Sequence, residues 1–375
     1  MNKRTRRFRH LWLLPIALIG AAVILGVAYL VANLGTLSPK AVWRDIRNLF
    51  REKTVATEIS YSRVDDGAFA PVGGGFVIAD PDGVRYVDST GSETLLEAVN
   101  MNSPVAVSNG SEALVFDLGG SYLCVLNRNG IIWSGSASGG IFSASINSAG
   151  WVAVCAECPG YNGAVTVFNA KGRSVYRWYS GQGYLLSAAV SEGCDSLAAL
   201  AVQRTGSAIH FFSLASETEQ GCCLMPDTVI LDLKYDRQDS VTAITPEALL
   251  TIRNDGTEIS RTEWPGRYLA AYAFEGDNYT AVAYSDYQVG AQGTLLTVDD
   301  RGRLLGSLEI DREVLSISAA GRIVAVRYLD GVVVYDRQLR VLYETSGMSD
   351  AVAILAHTDG SFIAAGEYSA EIYGK

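Results

Sequence analysis

The chain has 375 residues, 49 % of them hydrophobic, with 38 Gly, 9 Pro and 6 Cys, and a formal net charge of −10. Abundant Gly with sparse Pro suits a β-rich globular chain with many tight turns and excludes a fibrous or disordered polymer. Residues 1–53 carry ten Lys and Arg against only Asp45 and Glu52, which leaves 20 basic and 38 acidic residues in 54–375; this body of net charge −18 repels phosphate backbones and disfavours nucleic acid as a partner.

The first predicted element is a membrane span. Residues 1–10 form a basic tail with Lys3, Arg4, Arg6, Arg7 and Arg9, and 11–34 read LWLLPIALIGAAVILGVAYLVANL without a charge. As a helix these 24 residues rise about 36 Å, enough to cross a hydrocarbon core of about 30 Å. A cleavable signal peptide has a shorter apolar stretch and a small-residue cleavage site, so an uncleaved signal anchor is expected. Five positive charges packed directly against the span place the N-terminus in the cytoplasm and the body outside it, at the cell membrane. A second basic group, Lys40, Arg44, Arg47, Arg51 and Lys53, opposes this with a lower charge density.

That second group has its own pattern over 35–53. Ser38 and Pro39 suit the cap and first position of a helix. Val42, Ile46, Leu49 and Phe50 then share one face, and Lys40, Arg44, Arg47 and Arg51 another. Such an amphipathic linker helix suits a membrane surface or the underside of the following domain equally well.

From 54 onward the chain repeats. A β-run, an Asn/Asp-x-x-Gly turn and a second β-run recur, with turn positions Asp88, Asn127, Asn169, Ser213, Arg253, Asp299, Asp336 and Gly374 separated by 37 to 46 residues. A period near 40 with only strand signals inside it marks a four-stranded propeller blade. The fourth and seventh copies lack the turn Gly, so irregular turns are expected there. The last unit holds three strands, and Val55–Tyr61 has the composition to supply the fourth and close the ring. The expected fold is therefore an all-β propeller, of eight blades, or seven if AFAPVGGGFVIAD is not a true unit, preceded by one transmembrane helix.

The stretches LSPKAVWRDIRNLF, ALVFDLGGSYLCVLNRNG and VYRWYSGQGYLLSAAVS resemble a bacterial family of membrane-anchored propellers known as domain of unknown function 5711. The resemblance implies architecture, an extracytoplasmic location and a surface role. It implies no activity and no site residues.

Candidate chemistry is sparse. The histidines are His10, His210 and His357, with no HExxH, GxSxG or phosphate-loop motif around them, so no catalytic residue is assigned. Cys155 and Cys158 have CxxC spacing but follow a strand, where no helix N-terminus lowers a thiol pKa; a local disulfide or two free thiols is expected. Adjacent Cys222 and Cys223 resemble the cysteine pair that covers the cofactor of eight-bladed quinoproteins, yet repeats of about 40 residues leave little room for the loops of such a site. Asp65-Asp66, Asp80-Pro81-Asp82-Gly83 and Asp299-Asp300 are hairpin turns without calcium-loop spacing. No cofactor and no metal ligand set is expected, and no binding residue is assigned. The expected function is a non-catalytic binding or scaffolding module for a protein, peptide or glycan. The alternative is an exported enzyme, either a quinoprotein-like oxidoreductase or a cell-wall glycan hydrolase.

Overall fold

A computed structural model describes residues 55–374 except 65–66, 217, 237–238, 289 and 347–349. The tail at 1–10, the expected span at 11–34 and the linker at 35–53 lie outside the described residues. Among the described residues, no helix is long and apolar enough to cross a membrane.

Thirty-two described strands form eight four-stranded antiparallel sheets. Seven are continuous in sequence: blades 1 to 7 span 68–97, 104–136, 141–179, 184–226, 232–263, 268–310 and 314–346. The doubtful first unit is a true blade, because Ala68–Val72 and Gly75–Asp80 pair across a Gly73-Gly74 turn with both glycines at positive φ. Blade 8 is composite: Ala353–Ala356, Phe362–Ala365 and Ser369–Gly374 are joined by strand β1, Val55–Ser60. The fold is an eight-bladed propeller.

Within each blade the chain runs from an inner strand outward, so every hairpin joining strands one to two or three to four lies on one face. The hairpins joining strands two to three, and the crossovers between blades, lie on the other. Buried Val, Ile, Leu and Ala from facing sheets form cores between neighbouring blades, such as Leu200, Ile209 and Phe211 of blade 4 against Leu233, Val241 and Leu250 of blade 5. Second and third strands, buried on both faces, read as continuous apolar runs, as in IVAVRY and GVVVYD, whereas outer strands alternate.

The repeated turn has a common chemistry. The Oδ1 atoms of Asp88, Asn169, Asp299 and Asp336 each accept backbone N–H groups two and four residues ahead. Such a side-chain bond mimics a backbone turn and fixes the hairpin locally. The seventh copy keeps this geometry although it lacks Gly, contrary to the expected irregularity. Leu339 takes the left-handed conformation at φ 59° and its side chain is buried between blades 6 and 7. A left-handed non-Gly residue costs about 1–2 kcal/mol, which burying a leucine, worth about 1.5–3 kcal/mol, offsets.

A buried ion network ties the closing strand to blade 1. Arg85 pairs with Asp80 and, at 2.8 Å, with Glu93, and donates to the Ser62 carbonyl. The Tyr61 hydroxyl lies 2.7 and 2.8 Å from the Gly366 and Ser369 carbonyl oxygens of blade 8 and shares its one proton between them.

Candidate functional site

The inner strands carry small residues at the propeller axis, among them Ser143, Ser145, Ser187 and Ala189, and leave a cavity of about 340 Å³ there. It lies where the inner strands of blades 2 to 6 end, on the face of the one-to-two hairpins. Glu192, Asp232, Asp236, Glu275, Asp277 and Asp300 line it; among the described residues, Lys234 is its one basic lining residue.

These charges are engaged in holding blades together. Asp232 on blade 5 accepts from Ser187 of blade 4 at 3.1 Å, from Tyr272 of blade 6 at 3.3 Å and from the Leu233 N–H at 2.8 Å. Burial raises its pKa above the ordinary aspartate value, and those three donors oppose the rise. Lys234 donates to the Phe274 and Tyr279 carbonyls of blade 6 at 2.9 and 3.3 Å. Its ammonium is 3.9 Å from Asp236, whose other oxygen accepts from Thr242 at 2.7 Å. Burial raises the Asp236 pKa, Lys234 opposes that and Asp300 adds to it. Glu275 is open to the channel yet ringed by protein, and desolvation raises its pKa as well.

The opposite face differs in character. Tyr161, Tyr184, Tyr268, Tyr287, Leu329, Val352 and Tyr368 are exposed there, Tyr184 at 72 % and Leu329 at 81 %. Tyr184 and Tyr268 open the inner strands of blades 4 and 6 at this face, and the others stand on crossovers or on two-to-three hairpins. A second cavity of about 180 Å³ opens beside Tyr268 between blades 6 and 7, with Gln288, Gln292 and Arg312 in its wall. Among the described residues, no large exposed hydrophobic side chain stands on the one-to-two hairpins of the cavity face.

The sequence matches the family of unknown function DUF5711 over residues 45–369. The chain belongs to that family. No curated protein matches it. This DUF5711 propeller is similar in fold to the C-terminal WD40 domain of Sif2, with a TM-score of 0.60 at 13 % identity over 87 % of this chain and 99 % of that one. It is equally similar to Sqt1 of Saccharomyces cerevisiae, with a TM-score of 0.60 at 10 % identity over 86 % and 98 %. BamB of Moraxella catarrhalis aligns with a TM-score of 0.53 at 15 % identity over 86 % and 100 %. At such identities the likeness concerns the fold alone.

The residues singled out in the DUF5711 sequence are dispersed. His10 and Asp65-Asp66 lie outside the described residues. His357 begins the one-to-two turn of blade 8, and its pKa is lowered by burial against the opposing pull of Asp359. Cys155 is buried in the second strand of blade 3, where desolvation pushes its thiol up to about 12, and Cys158 sits half-buried in the following loop; both are free. Cys222 and Cys223 are also free and stand on the outer strand of blade 4, away from the axis. Their side chains project from opposite sides of the strand, one exposed and one buried, so they cover no axial cofactor. Burial and the Glu219 carboxylate push the Cys222 thiol up to about 11, which makes it a poor nucleophile. Asp80 serves its turn through the Asp82 and Gly83 N–H groups and pairs with Arg85. Of the Asp299-Asp300 pair, Asp299 forms the turn, whereas Asp300 is buried against the cavity.

Sequence reasoning missed the cavity carboxylates. The signal that could have found them is positional: Asp236 and Asp277 each directly follow the inner strand of consecutive units, and Glu192 stands one residue further on in the unit before.

Proposed function

We propose that this DUF5711 member is a membrane-anchored, extracytoplasmic binding or scaffolding module whose crossover face docks a protein, peptide or glycan. The observation that carries the reading is the concentration of exposed Tyr, Leu and Val side chains on that face. Tyr supplies large, rigid contact area with a polar tip, which is why it is enriched where surfaces bind partners, and a cluster of exposed apolar groups on one face marks an interaction surface. Strand β1 enters the ring opposite Gly374, on the cavity face, so the aromatic face carries neither of the described chain ends and is unobstructed by them.

The exported-enzyme reading draws on the raised carboxylates of the axial cavity. Its weakness is that Asp232 and Lys234 are committed to bridging blades 4, 5 and 6. A catalytic acid or base must come within hydrogen-bond reach of the proton it moves, and these two groups reach protein partners in neighbouring blades instead.

A photocrosslinking amino acid placed singly at Tyr184, Tyr268 or Leu329 in native cells tests the docking face. Discrete adducts are expected from these positions, and none from Lys171 or Arg301, exposed in turns of the other face. Equal labelling from both faces would refute the assignment.

A further inference from the structure

The outer hairpin of blade 4 gathers three side chains of different metal-binding chemistry. Its third and fourth strands, Gly206–Ser213 and Glu219–Pro226, pair with His210 opposite Cys222 and Phe212 opposite Glu219. The register shifts between Phe211 and Phe212, so the fourth strand holds one extra residue, Gln220, at a bulge. In an unbroken strand residues three apart point to opposite faces. The bulge removes that offset and turns Glu219 and Cys222 to the same face as His210, re-aiming side chains as bulges do.

The result is compact. His210 Nδ1 lies 2.8 Å from Glu219 Oε1, and one donor atom from each of His210, Glu219 and Cys222 falls within 4.8 Å of the others. The imidazole is held from the neighbouring blade by Trp178, 5.3 Å between ring centroids. Its Nε2 is buried without a hydrogen-bond partner, and Nδ1 is the ring atom that faces Glu219. Behind the site, the blade 5 turn presses so closely that a Cβ on Gly256 would lie 2.4 Å from the Cys222 carbonyl oxygen. The Cys222 backbone is thereby fixed, while Glu219 and the Cys222 thiol face solvent.

We propose that His210, Glu219 and Cys222 form an accessory site for a divalent transition-metal ion of the zinc class, with the fourth coordination position open to water or an anionic ligand. One nitrogen, one carboxylate oxygen and one thiolate suit a tetrahedral ion of borderline softness, whereas calcium and magnesium select oxygen-only sets. Zinc bonds of about 2.0 Å to nitrogen and oxygen and about 2.3 Å to sulfur place donors roughly 3.3–3.5 Å apart. The exposed Glu219 carboxylate needs to withdraw from the imidazole by only about half an ångström to reach that spacing. The ion binds on the propeller's outer rim and is separate from both the axial cavity and the crossover face.

The test uses the full-length protein in detergent, reduced and stripped with a chelator, then titrated with Co²⁺ and back-titrated with Zn²⁺. One equivalent of Co²⁺ is expected to give a thiolate-to-cobalt charge-transfer band that Zn²⁺ abolishes. Cys222→Ser should remove the band, and both Cys222→Ser and Glu219→Gln should weaken Zn²⁺ binding at least about tenfold, the least that disturbing a site's outer-shell partners costs. The metal-free melting transition should stay unchanged in both variants, since both side chains are exposed. Cys158→Ser, the control thiol, should retain the band. A wild-type titration without a thiolate band, or a band that survives Cys222→Ser, would overturn the proposal.

Discussion

At the residue scale, the axial carboxylates show how burial and pairing compete. Asp236 has one oxygen satisfied by Thr242 and the other facing Lys234 at 3.9 Å, too far for a hydrogen bond. Desolvation therefore prevails and its folded-state pKa stands above the unfolded value. A raised carboxylate pKa means the folded state binds the proton more tightly. Its stabilising contribution is present at acid pH and is lost as pH rises through the folded pKa. Asp232 acts in the same direction. Asp236→Asn mimics the protonated form, so its stability relative to wild type should improve from pH 5 to pH 8. A tenfold difference in proton affinity between folded and unfolded chains is worth about 1.4 kcal/mol, and a gain of that order, read by thermal unfolding of the detergent-solubilised chain, is expected. A gain that is equal at both pH values would show that Asp236 does not titrate between them.

At the scale of elements, the ring depends on one strand from the far end of the sequence. Blades 1 to 7 each show a register shift between their third and fourth strands, whereas β1 pairs with Ser369–Gly374 without one. Strand β1 reaches its partner through no hairpin, so no turn conformation has to be fitted to its pairing. Tight two-residue hairpins such as that across Gly73-Gly74 also pair without a shift. Along β1, Glu58 is exposed and Ile59 is 3 % exposed against Phe76, Ile363 and Ala370. Ile59→Ala should cost about 2–5 kcal/mol through the lost methylenes and the cavity left behind, whereas Glu58→Ala should stay within about 0.5 kcal/mol. Chemical denaturation of the two variants distinguishes them. Equal effects would mean that the closing strand contributes its backbone alone.

At the scale of the whole molecule, the two faces divide charge from apolar surface. The cavity face gathers carboxylates around the axis, and the crossover face carries the exposed tyrosines. The proposed extracytoplasmic placement has a direct check. Protease added to intact protoplasts should degrade the acidic body and leave a membrane-embedded stub near the N-terminus, because charge packed against the span retains the tail inside. A protected C-terminus would reverse the orientation and make Lys40 to Lys53 the retained positive flank.

The repeat was legible in one sequence because each blade needs the same local chemistry: an acceptor side chain at Asp88, Asn169, Asp299 or Asp336, a residue tolerant of positive φ after it, and apolar strands on either side. Those signals act over a few residues, and they determined the propeller, its blade period and the family resemblance. Leu339 escaped because its strained turn is offset by burial between blades, a contact absent from any local pattern. The candidate sites escaped for the same reason. Asp232 and Asp236 stand at the two ends of the inner strand of blade 5, Asp300 lies in an outer hairpin of blade 6, and only the packing of one blade on the next brings the third to the other two. His210 and Cys222 are twelve positions apart, with Glu219 three before the cysteine; pairing across a hairpin makes the first two neighbours, and a single bulged residue, Gln220, turns the third to join them. Sequence determined what each strand is, and tertiary structure decided which side chains meet, because register, bulges and ring closure are set by packing over distances that local propensity does not span.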